Sequence, residues 1–96
     1  MGKVAFADVL QRLGKDERLY NSHLSLIAAV YSLVPEQTLR PIKVSRRELM
    51  SLSRIRSIAT YHKCIKELVA YGYIQYFPSY HPTEGSRVAF GNLLRA

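Results

Sequence analysis

A single cysteine, Cys64, excludes an intramolecular disulfide, and the lack of any Cys/His cluster at ligand spacing excludes a structural zinc site. A reducing, cytoplasmic setting is therefore expected. No apolar run approaches the roughly eighteen residues of a membrane helix. The start Met1-Gly-Lys-Val-Ala-Phe-Ala-Asp8 meets an acid too early for a secretory signal, so no membrane partner is expected. Repeats, low-complexity stretches and linkers are missing as well.

Signs of catalysis are equally scarce. His23, His62 and His81 fall on three separate segments, with no His-x-x-His pair and no neighbouring carboxylate pair to hold a metal or form a general-base dyad. Seven tyrosines invite a strand-transferring nucleophile, but such a residue needs a surrounding Arg/His cluster and a larger catalytic domain than 96 residues supply. Gly85-Ser86 alone is no phosphate loop, and Cys64 reads as a small apolar core residue. The expectation is a protein with no enzymatic activity, no cofactor and no small-molecule ligand.

What is present is one globular domain over residues 1–96, since 48% hydrophobic and 22% charged residues match ordinary folded usage and a second core would not fit. Acidic residues are outnumbered, 7 against 14 basic ones, for a net charge of +7. Arg40, Lys43, Arg46, Arg47, Arg54, Arg56, Lys63 and Lys66 crowd into 27 residues against Glu48 alone, so that segment carries the whole excess. Localised positive charge of this kind suits a surface that meets phosphates.

Periodicity supplies the elements. Phe6, Val9, Leu10 and Leu13 keep helical spacing, which predicts a short amphipathic helix over Val4 to Leu13, stopped by Gly14. A longer, central helix follows, with Asp16 as its expected cap and Pro35 limiting its end. Tyr20, Leu24, Ile27 and Tyr31 form one of its apolar rows, and Leu26, Val30 and Leu33 a second. Tyr20, His23 and Tyr31 are expected to pack with their polar tips at the edge. Ile42 and Val44 alternate as a very short strand. Ser45-Arg-Arg-Glu48 is a capping box, predicting a helix to about Leu52 with Leu49 and Leu52 inward. After a break over Ser53 to Arg56, Ser57 caps a helix that runs to about Tyr71, with Gly72 as its stop. Ile74 and Tyr76, then Val88 and Phe90, alternate as two strands of a hairpin whose polar tip runs from Ser79 to Ser86.

Capped helix, tight break, capped helix and hairpin follow the order of a helix-turn-helix (about 45–72) with a wing (about 73–91), in a mainly α domain with a small β-hairpin. The stretch Ser45-Arg-Arg-Glu-Leu-Met-Ser-Leu-Ser, continuing through Thr60-Tyr-His-Lys-Cys-Ile-Lys-Glu-Leu-Val-Ala-Tyr-Gly-Tyr-Ile74, resembles winged-helix transcriptional regulators. With the hairpin, the chain from Tyr20 onward resembles the small winged-helix DNA-binding proteins of bacterial plasmids and conjugative transposons. One departure is the turn Ser53-Arg-Ile-Arg-Ser57, a residue longer than in the commonest regulators and without their glycine. The resemblance implies a sequence-specific double-stranded DNA-binding protein that regulates transcription of a mobile genetic element. An excision or replication accessory factor is the alternative role.

The geometry of a helix with Tyr61, Ile65 and Leu68 inward projects Ala59, Lys63, Lys66 and Glu67 outward, with Thr60 at the flank. Ala59, Thr60 and Lys63 are the expected base-edge readers, because the N-terminal half of a recognition helix enters the major groove. Arg54, Arg56 and Ser57 precede that helix and can reach phosphates, while Arg46 and Arg47 act as backbone clamps. In the wing, Tyr80, His81, Ser86 and Arg87 are candidates for a minor groove or an adjacent phosphate. Protein- or RNA-interaction modules can use the same basic face, but hydroxyl and short side chains on the outer helix favour groove entry. Apolar surface on the first helix and at Leu93-Leu94 leaves two arrangements open, a homodimer or both ends folded back on the central helix.

Overall fold

A computed structural model describes residues 6–34, 40–79 and 85–91. Four helices and three strands run in the order α1 (Phe6–Gly14), α2 (Asn21–Leu33), β1 (Ile42–Val44), α3 (Arg46–Ser53), α4 (Ile58–Ala70), β2 (Ile74–Phe77) and β3 (Ser86–Phe90) among these residues. The strands form one antiparallel sheet ordered β1-β3-β2. This is a small α+β fold compatible with a winged helix.

Helix α2 is the spine, as its two apolar rows predict: Leu26, Ile27, Ala29 and Val30 are all buried. Its start differs from expectation. The cap is Tyr20, whose backbone N–H donates to Nδ1 of His23 over 2.9 Å. Asp16 is instead held by one local and one distant partner. Its carboxylate accepts from the Arg18 backbone and guanidinium at 2.7–3.0 Å and from the Tyr73 hydroxyl at 2.7 Å. The Arg18 guanidinium also lies 4.0 Å from the centre of the Tyr71 ring. His23 does not sit with a polar tip at the edge; it is 1% exposed and its Nε2 lies 3.0 Å from Glu67 of α4. Tyr20, by contrast, is largely outside the core.

Helix α1 folds back on its own chain, with Val9 and Leu13 buried and the Phe6 ring 5.1 Å from that of Tyr31. Its surface for a second copy therefore shrinks to Phe6 and Leu10, both exposed. Leu93 and Leu94 lie outside the described residues.

The hairpin is real but incomplete as a description, because β1 inserts its edge against β3: Ile42 pairs with Val88 and Val44 with Ser86. Strand β3 is consequently central, and Val88, Ala89 and Phe90 are buried in succession rather than in alternation. At its end the Gly91 N–H donates to the Tyr73 carbonyl over 2.7 Å, and a Cβ on Gly91 would collide with the Gly72 carbonyl.

Candidate nucleic-acid interface

Three local devices fix the basic segment in space. Ser45 caps α3, its hydroxyl accepting from the Glu48 amide at 3.0 Å; the return bond of the expected capping box is not formed. Ser57 caps α4 in the same way, accepting from the Thr60 amide at 3.2 Å. Helix α4 ends in a Schellman arrangement, with Gly72 at φ 89°, its N–H on the Val69 carbonyl and the Tyr73 N–H on the Leu68 carbonyl. Helix α3 is thereby fixed at its start, and α4 at both ends, by short-range bonds.

The turn between them is built without glycine. Arg54 takes the left-handed conformation itself, at φ 64°, and closes α3. Ile55 drops into the core, and its N–H donates to the Ser53 hydroxyl over 3.4 Å, which in turn donates to the Met50 carbonyl. With residue 55 pinned inward, Arg54 and Arg56 on either side are thrown outward.

On α4, Tyr61, Cys64, Ile65 and Leu68 face the core. The Tyr61 hydroxyl is buried without a hydrogen-bond partner among the described residues, and burial pushes its ionisation above the ordinary tyrosine value. The outer side is as expected for Ala59, Thr60, Lys63 and Lys66, all exposed, but not for Glu67, which turns back to His23. On α3, Leu49 is fully buried whereas Leu52 is 50% exposed. The core-facing side of that helix runs through Leu49 and Ser53, one turn apart, and Leu52 lies off it.

Arg46, Arg47, Arg54, Arg56, Lys63 and Lys66 are exposed, and none of them makes an ion pair among the described residues. The ion pairs among the described residues, Arg18 with Asp16 and His23 with Glu67, lie elsewhere. A groove of about 640 Å³ separates α3 from the start of α4, lined by Arg46, Arg47, Arg54, Arg56, Met50 and Ile58. A second, of about 580 Å³, lies between α4 and the hairpin, where Arg46, His62 and Lys66 face Tyr76, Pro78 and Ser86. His62 and Ile58 were not among the residues expected from the sequence. Helix phase turns His62 off the face that Tyr61 and Ile65 share, whereas Ile58 lies in phase with Ile65, seven residues on, and is exposed as the first residue of α4.

The hairpin contributes less than expected. Ser86 is half-buried and its hydroxyl accepts from the Tyr76 hydroxyl at 2.9 Å, so it belongs to the sheet. Ser57 likewise commits its hydroxyl oxygen to capping. Arg87 is exposed, and register sets it opposite Lys43, a like-charge pair that an anion would relieve. Tyr80 and His81 lie outside the described residues. No set of three or more His, Cys, Asp or Glu side chains among the described residues could hold a metal ion, and no described helix is long and apolar enough to cross a membrane. No family model, curated protein or solved structure matches the chain.

Proposed function

We propose that this chain is a sequence-specific double-stranded DNA-binding protein of the winged-helix type, with α4 as the recognition helix. The observation that carries the reading is the α3–turn–α4 surface, where six exposed cations have no acidic partner among the described residues. Unpaired guanidinium and ammonium groups on a rigid backbone suit phosphates spaced along a duplex. Between them α4 offers Ala59 and Thr60, short enough for close approach to base edges, and Lys63 one turn further, long enough to reach a guanine. Transcriptional regulation of a mobile genetic element is the role implied by the resemblance over residues 20–90; excision or replication would use the same contacts.

Selection from a pool of random duplexes tests this reading. A short enriched site is expected, bound in preference to duplex RNA of the same sequence. Lys63→Ala should then weaken the selected site by about 1–3 kcal/mol and random DNA by less. No enrichment, or tighter binding to RNA, would count against the proposal.

A further inference from the structure

We infer that Ile58 is a base-reading residue and that the group it reads is the 5-methyl of thymine. The inference rests on the duplex-binding proposal and specifies its target. Ile58 is the first residue of α4, immediately after the Ser57 cap, and is 49% exposed, although isoleucine is among the residues most often found inside. Its surroundings give that exposure a meaning. Ile58 lines the groove that Arg46, Arg47, Arg54 and Arg56 surround. Four guanidinium groups without carboxylate partners among the described residues create a field that repels a basic surface and attracts a polyanion.

Phosphates alone leave an aliphatic side chain in such a groove with nothing to contact. The next two residues sharpen the point: Ala59 and Thr60 are also exposed, and each offers a methyl group and no charge. The first turn of α4 is thus an uncharged, methyl-bearing strip set among arginines. Along the major-groove edge of a duplex, the apolar feature is the thymine 5-methyl, while the other base edges present donors and acceptors. Arginines on the backbone would hold the helix N-terminus in the groove, and Ile58 would bury its side chain against that methyl. Removing one buried methyl contact should cost about three- to fivefold in affinity.

The test starts from the best duplex selected above. Each thymine is replaced in turn by 2′-deoxyuridine, which deletes the methyl and keeps the base pair. The wild-type protein should lose about three- to fivefold at one or two positions and nothing at the others. Ile58→Ala should bind the thymine duplex about as weakly as wild type binds the uracil duplex, and should no longer distinguish them. Ile58→Val, which keeps a branched aliphatic contact, should retain the distinction. A thermal melt of each variant checks that it is folded. Tight binding with no loss at any uracil position, or a selected site without thymine, would overturn the assignment and leave duplex binding standing. The same holds if Ile58→Ala discriminates as wild type does. Failure of the wild type to bind any duplex would overturn both.

Discussion

Around the loop joining α1 to α2, charge is consumed within the fold: Asp16 holds Arg18 and the Tyr73 hydroxyl, and His23 joins the cap of α2 to Glu67 on α4. From Arg46 to Lys66 no basic side chain makes an ion pair among the described residues, although the backbone beneath is fixed by two serine caps and a glycine stop. The first region uses polar groups to tie distant segments together. The second accepts mutual repulsion among its cations while holding them on rigid supports, which makes sense for charges whose partner lies outside the chain. Substitutions in the first region should therefore alter stability, and substitutions in the second should alter binding with the fold intact.

Two leucines of α3 mark the boundary most sharply. Leu49→Ala, at a fully buried site, should destabilise the protein by about 2–5 kcal/mol, whereas Leu52→Ala at the half-exposed site should cost about 1 kcal/mol or less. Urea unfolding measures both, and equal losses would erase the distinction. Next in size is His23→Ala, which strands the Tyr20 N–H and deprives Glu67 of its partner, for an expected loss of about 1–3 kcal/mol in the same assay.

Asp16→Asn probes the paired region through pH. Hydrogen bonds from Arg18 and then Tyr73 hold the Asp16 carboxyl well below its ordinary value of 3.8. A depressed carboxylate stabilises the fold fully above that ordinary value, and the contribution is lost as pH falls through the depressed one. The wild type should melt higher than Asp16→Asn at neutral pH, and the gap should narrow as pH drops below 3.8. A gap that stays constant down to about pH 2 would remove the ionised carboxylate as its source.

Much of the second region was legible in the sequence because its signals are local. Ser45 and Ser57 cap the helices they precede, Gly72 stops α4, and the spacing of Tyr61, Ile65 and Leu68 sets the helix phase. The first region was less legible because its decisive partners are far apart in the chain. Asp16 has the residue type of a cap, but Arg18 and, fifty-seven residues on, Tyr73 share its carboxylate, and helix phase turns Glu67 outward where His23 draws it back. The pairing of β1 with β3 was hidden for the same reason, and with it the burial of Ala89. Leu52 misled because helical spacing alone places it near either face, and only packing against α2 selects Leu49 and Ser53.

The most direct measurement of the central contrast is the salt dependence of duplex affinity for wild type, Arg18→Ala and the double variant Arg54→Ala/Arg56→Ala. Both arginines of the double variant are exposed and have no ion-pair partner among the described residues, so its stability should stay within about 0.5 kcal/mol of wild type. The slope of log affinity against log salt should fall by about 0.9 for each turn arginine removed and stay unchanged for Arg18→Ala. A slope unchanged in the double variant, or one lowered instead by Arg18→Ala, would contradict the assignment of the α3–turn–α4 face to DNA.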